Sequence, residues 1–201
     1  MFKKEWIYRE LACAHLQERG VRQTGLALSR KFSISLSTVH HAMLPLKQNG
    51  IVAPLSRGFR LVSFSRLLAF WGSERRLARE VIWQGSAAGV REAEKLAPSG
   101  AVWGGCTAYR MRYKDAPADY STLIIYADER MLPDIKARMA AKGNVKLLVL
   151  KKDRFMKDYS DGGLCPDPQV YVDLWNIPEW YASEFRRALE KRMGFDSEGT
   201  A

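Results

Sequence analysis

Leu36, Val39, Met43 and Leu46 recur at spacings of three, four and three, which puts them on one face of a single helix. This stripe is the tightest constraint in the chain, because it is punctuated on both sides. Phe32-Ser33-Ile34-Ser35 forms a brief turn before it, and Gly50 stops it. A helix is therefore expected from Leu36 to about Asn49. Pro45 should kink or shorten its C-terminal part, since proline lacks the N–H and crowds the preceding turn. Ser37, Thr38, His41 and Leu44 fall on the opposite face. Upstream, Ile7, Leu11, Ala14 and Leu16 give residues 3–18 a helical stripe closed by Gly20. Thr24 is the N-cap of a short helix to about Lys31 with Leu26, Ala27 and Leu28 as its apolar positions. Downstream, Ile51-Val52-Ala53-Pro54-Leu55 and Phe59-Arg60-Leu61-Val62 flank Ser56-Arg57-Gly58, a short strand pair with a basic tip.

Helix, helix, turn, helix and basic hairpin is the order of a winged helix-turn-helix. Residues 23–50 resemble the form found in bacterial and archaeal transcription regulators, most recognisably at Ser37-Thr38-Val39 and at Leu46-x-x-x-Gly50-Ile51-Val52. The resemblance implies a recognition helix over 36–49 in the major groove and a basic wing over 56–60. Such a helix offers its first residues to base edges, and its free N–H groups and dipole favour phosphates. The DNA-contacting candidates on this helix and at the turn that leads into it are Ser35, Ser37, Thr38, His40, His41 and Lys47. Gln23 and Thr24 suit a phosphate, and Arg57 and Arg60 suit the backbone or minor groove. His40 and His41 could instead form a proton relay or metal pair, but neighbours on a helix diverge by about 100°, and no third ligand lies nearby in sequence. A winged helix used for protein contacts is the alternative for the whole segment.

Charge supports a polyanion partner. Residues 1–66 hold eleven Lys and Arg against three acids, a net +8 of the chain's +10, whereas the remaining 135 residues of the 201 carry only +2. Charge asymmetry of this kind speaks to partners rather than fold. With 47% hydrophobic and 27% charged residues, the chain can bury a core, so wholesale disorder is excluded. No apolar run approaches the roughly 18 residues of a membrane span, and the first residues lack a secretory signal. Cys13, Cys106 and Cys165 are too dispersed for a disulfide framework or a metal knuckle. Reduced thiols, a cytoplasmic location, no membrane partner, no metal and no cofactor are the expectations.

The remainder is expected to be mixed. Ser65 to Trp83 has the pattern of a long amphipathic helix between domains, with Phe70, Trp71 and Trp83 in a core or in self-association, and a second helix spans Ala87 to Leu96. Strands are then expected at Ala101–Trp103, Thr122–Tyr126, Val145–Leu150 and Val170–Val172. Helices are expected from about Thr107, from Asp128 to Ala141 with Pro133 in its first turn, and from Pro178 to Met193. The fold class is thus α/β (α+β), divided as a DNA-binding domain at 1–64, connector helices at 65–98, a mixed domain at 99–195 and a frayed tail at 196–201.

Gly104-Gly105-Cys106-Thr107-Ala108, followed by Asp119-Tyr120-Ser121-Thr122-Leu123-Ile124-Ile125, resembles the nucleotidyltransferase-like fold. In that family a Gly-Gly or Gly-Ser turn cradles the triphosphate and an Asp-x-Asp pair holds metal. Here the pair falls on Asp119 and Ser121, so a carboxylate is missing, and nothing in the spacing makes Asp128 or Asp173 its substitute. A degenerate, non-catalytic domain is implied. The whole chain also resembles the antitoxins of type IV toxin–antitoxin systems, the AbiEi kind. The resemblance rests on the winged helix, the Gly-Gly-Cys-Thr-Ala-Tyr turn at 104–109, and Pro168-Gln169-Val170-Tyr171-Val172-Asp173-Leu174-Trp175. It implies promoter binding, often autoregulatory, without establishing a toxin partner. The expected function is a non-enzymatic, sequence-specific transcriptional regulator acting on double-stranded DNA. Two alternatives stay open: a DNA-tethered nucleotidyltransferase, and an antitoxin-like interaction module docking a partner through Tyr171, Trp175, Trp180 and Tyr181. Self-association through the connector helix or the second domain belongs to the same expectation.

Overall fold

The computed structural model describes residues 1–18 and 22–195; Gly20, expected to cap the first helix, and the tail 196–201 lie outside the described residues. The chain is a mixed α/β protein. It separates into two compact units, residues 1–75 joined by described residues 190–195, and residues 76–189.

The first unit begins with α1 (Lys3–Gln17), the short strand β1 (Arg22–Gln23), α2 (Gly25–Phe32) and α3 (Leu36–Gln48). It continues through β2 (Val52–Leu55) and β3 (Gly58–Leu61) into α4 (Phe64–Glu74). Side-chain caps start three of these helices. Thr24 Oγ1 accepts from Ala27 N at 3.1 Å, Ser35 Oγ from Thr38 N at 3.1 Å, and Ser63 Oγ from Arg66 N at 3.3 Å. The strands form an antiparallel sheet in the order β1-β3-β2. Its closeness depends on Gly58, which sits at φ +100°; a Cβ there would lie 2.1 Å from the Gln23 carbonyl oxygen. Ile7, Tyr8, Leu11, Leu28, Phe32, Val39, Met43, Leu46, Phe59 and Trp71 fill the core between helices and sheet. The Tyr8 hydroxyl donates to the Ala42 carbonyl at 3.2 Å and ties α1 to α3.

Several expectations change here. Leu36 is 54% exposed rather than part of the core face, because α3's first turn overhangs the packed region that begins at Val39. Leu16 is also exposed; nine residues after Ile7 it has rotated about half a turn away from it. Pro45 does not shorten α3, which runs on to Gln48. The Pro45 carbonyl accepts from Asn49 N at 3.0 Å and from its Nδ2 at 2.8 Å. The helix expected over Ser65–Trp83 ends at Glu74, where Arg75 turns to extended backbone. The 65–98 stretch is therefore not a helical connector: its part up to Arg75 belongs to the first unit and Arg76 onward to the second.

The second unit opens with a 3-10 turn (Leu77–Glu80), β4 (Val81–Ala87), α5 (Val90–Leu96), β5 (Val102–Gly104) and α6 (Gly105–Tyr113). It closes with β6 (Thr122–Ala127), α7 (Leu132–Met139), β7 (Val145–Lys151), the short α8 (Met156–Tyr159), α9 (Asp167–Trp175) and α10 (Tyr181–Met193). The sheet order is β4-β7-β6-β5, with β6 and β7 parallel and both outer strands antiparallel to their neighbours. Residues 81–87 form a strand because Val81, Ile82 and Trp83 are β-branched and aromatic and find β7 as a partner. Every residue of β6 is buried, as its unbroken apolar run implies.

Val170–Val172 is helical, not a strand. Residues 168–174 are buried on all sides, so the run carries no periodicity that separates helix from strand. Pro168 in its first turn suits the helix. Trp71 is fully enclosed and Trp83 half-buried beneath Lys136, whose Nζ lies 5.8 Å from the ring. No helix among the described residues is long and apolar enough to cross a membrane.

Candidate nucleic-acid interface

In the first unit, α3 turns Val39, Ala42, Met43 and Leu46 inward. Its opposite face carries Ser37, His41, Leu44 and Gln48, all exposed. Ser35 and Thr38 hold one another at the helix start, their hydroxyls 2.9 Å apart, so Thr38 is partly committed to the cap. His40 and His41 are both exposed with ring centroids 6.1 Å apart and steeply tilted. Among the described residues no three His, Cys, Asp or Glu side chains gather as metal ligands.

Between α3 and the β2–β3 hairpin lies a groove of about 400 Å³ whose walls include Leu36, His40, Met43, Lys47, Gly58 and Phe59. The groove thus unites two of the candidates, His40 and Lys47, with the exposed Leu36. Gln23 sits half-buried in β1 opposite Phe59. Thr24 spends its hydroxyl on the α2 cap.

Arg57 and Arg60 are exposed on the hairpin. Arg60 stands directly across the ladder from Arg22, whose Nε donates to the Arg57 carbonyl oxygen. Two arginines therefore face each other in one small sheet, and a third lies in the turn that joins β2 to β3. Like charges directly opposite on a ladder are unfavourable by themselves. No acid is near in sequence to relieve them: the chain from residue 19 to residue 73 contains neither Asp nor Glu. Arg22 was missed from sequence because its place in a strand depends on pairing with a segment some 38 residues later. The acid-free stretch itself is a signal that covers Arg22.

In the second unit, the Gly104-Gly105 turn is fully enclosed. A Cβ on Gly104 would meet Ile124, Tyr126 and Asp173 at 3.0 to 3.3 Å, and Gly105 sits at φ +53° against Ile124. These glycines let α6 start hard against β6. Asp173 Oδ2 accepts from the Tyr126 hydroxyl at 2.6 Å, and Gln169 Nε2 donates to the same hydroxyl at 3.0 Å. Asp119 and Ser121 are exposed before β6, while Asp128 follows its far end and pairs with Lys152 at 3.0 Å. The carboxylates are not brought together. Burial pushes the Cys106 thiol up, with Glu179 adding to it, against an opposing backbone hydrogen bond.

Of the four C-terminal aromatics, Tyr171 and Tyr181 are core, whereas Trp175 and Trp180 face outward, Trp180 at 69% exposure. The Arg186 guanidinium stacks 4.7 Å over the Trp175 ring. Compared with known proteins, the chain matches no family model, no curated protein and no solved structure.

Proposed function

We propose that the chain is a sequence-specific transcriptional regulator that binds double-stranded DNA through its first unit. On this reading the unit is a winged helix-turn-helix, α3 is the recognition helix and the β2–β3 hairpin is the wing. The observation that carries the reading is the facing pair Arg22 and Arg60 beside Arg57, set in a stretch without acids. Such a cluster is unfavourable until phosphates neutralise it, and phosphate neutralisation supplies much of the affinity of DNA-binding proteins. The polar outer face of α3 supplies groups for base edges.

The second unit, on the same reading, is a non-catalytic relative of the nucleotidyltransferase-like fold. Its glycine turn is packed against Ile124, Tyr126 and Asp173 rather than open to a triphosphate. The protein then acts in the cytoplasm without cofactor or metal. A protein-docking role is the second reading, favoured by the exposure of Trp175 and Trp180; a stoichiometric partner co-purifying with the wild type but not with Trp180→Ala supports it.

A salt titration of duplex binding tests the main reading. Wild type should lose affinity steeply with salt, and Arg57→Ala should bind more weakly with a slope smaller by about one. Absence of binding, or binding indifferent to salt, refutes the proposal.

A further inference from the structure

Leu44 is the apolar centre of an otherwise polar face. Ser37, His41, Leu44 and Gln48 follow spacings of four, three and four along α3, so they form one outward stripe. At 1.5 Å per residue that stripe is about 16 Å long, the length of roughly five base steps at 3.4 Å. Leu44 is 39% exposed, directly opposite the core residues Val39, Ala42, Met43 and Leu46. Its neighbours on the stripe are a hydroxyl, an imidazole and an amide, all able to hydrogen-bond a base edge. Lys47 flanks it on the groove side, and Arg22 and Arg60 on the sheet and Arg57 in its hairpin turn supply positive charge in the same unit.

A leucine in this position has nothing to offer a phosphate or a base amide. In the major groove only thymine presents an apolar group, its C5-methyl, and that group distinguishes T·A from the other pairs. We propose that Leu44 is a specificity-determining residue that packs on the C5-methyl of a thymine in the bound site. Ser37, His41 and Gln48 then meet the pairs on either side of it. This inference rests on the DNA-binding reading above and adds to it the identity of one base.

The experiment begins with the full-length chain and a pool of random-sequence duplexes, from which bound sites are selected. In the selected site each thymine is replaced singly by deoxyuridine, which deletes the methyl group and leaves base pairing intact. One replacement should weaken wild-type binding about fourfold, the transfer value of a single apolar carbon. Leu44→Ala should bind thymine and uracil versions of that site equally, while Leu44→Met should retain the discrimination. Because Leu44 is a surface residue, the melting temperature of both variants should match wild type. A selected site in which no thymine responds to uracil, or a Leu44→Ala variant that responds as wild type does, overturns the inference while duplex binding itself survives. If selection yields no bound duplex at all, the DNA-binding reading falls first and takes the inference with it.

Discussion

The Glu5 carboxylate and the Arg75 guanidinium meet at 2.7 Å, and both side chains are completely enclosed. Glu5 belongs to the first turn of α1 and Arg75 closes α4, so the pair joins the first helix to the fourth. Trp71 Nε1 donates to the same Glu5 oxygen at 3.0 Å, and Phe2 N donates to the other at 3.1 Å. The carboxylate is thus both paired and hydrogen-bonded, the condition under which a buried charge is tolerated. Glu5→Ala removes the buried carboxylate that Arg75 and Trp71 both bond and should cost about 3–5 kcal/mol by urea unfolding. Replacing both, as Glu5→Leu with Arg75→Met, should recover most of that loss. A single variant as stable as wild type would show that the pair is dispensable.

Gly58 provides a test of the hairpin. Alanine at φ +100° is strained, and its Cβ would strike the Gln23 carbonyl. Gly58→Ala should therefore separate β3 from β1, lower stability by about 1–3 kcal/mol, and speed amide exchange in β1 and β3. Duplex affinity should fall with it, as Arg22 and Arg60 lose their fixed spacing. Unchanged exchange would mean the sheet has another way to accommodate the side chain.

On the proposed DNA-binding reading, α3 and hairpin positions should respond differently. Thr38→Ala and His41→Ala are expected to narrow the gap between selected and random duplexes by about 1–3 kcal/mol each, with the salt slope unaltered. Arg60→Ala is expected to weaken both duplexes alike and to reduce the slope by about one. Competition binding at several salt concentrations separates the two patterns, and reversed patterns would misassign α3 and the hairpin.

Alkaline titration reports on the second unit. Burial, opposed by hydrogen bonds from Thr107 and Arg110, pushes the Tyr120 hydroxyl from its ordinary 10.0 up to about 12. A raised value means the neutral phenol is favoured in the folded state. Its contribution is complete below pH 10 and is lost between about pH 10 and 12, as the unfolded chain ionises first. Tyr120→Phe should flatten the fall in stability over that window, read from melting temperature against pH. A fall as steep as wild type's would assign it to other groups.

Nucleotidyl transfer should be undetectable when the protein is incubated with labelled nucleoside triphosphates and Mg²⁺, and Asp119→Ala should behave as wild type does. Transfer that disappears with Asp119→Ala would make the second unit an enzyme.

Elements that signal locally were readable from the chain. The α3 stripe, the Thr24 cap, the strand pair about Arg57 and Gly58, and the apolar runs of β6 and β7 were all legible, because each is written in neighbouring residues. The basic bias of residues 1–66 was equally plain. What depends on partners distant in the chain emerged with the folded packing. It ended α4 where Arg75 reaches Glu5, made Val81–Ala87 a strand through β7, and made the fully buried 168–174 run a helix. It exposed Leu36 beyond the reach of the core and set Arg22 opposite Arg60. It also enclosed the Gly104-Gly105 turn against Ile124. Periodicity reports which face a residue occupies along its own element; which faces are covered is decided by the elements that pack there.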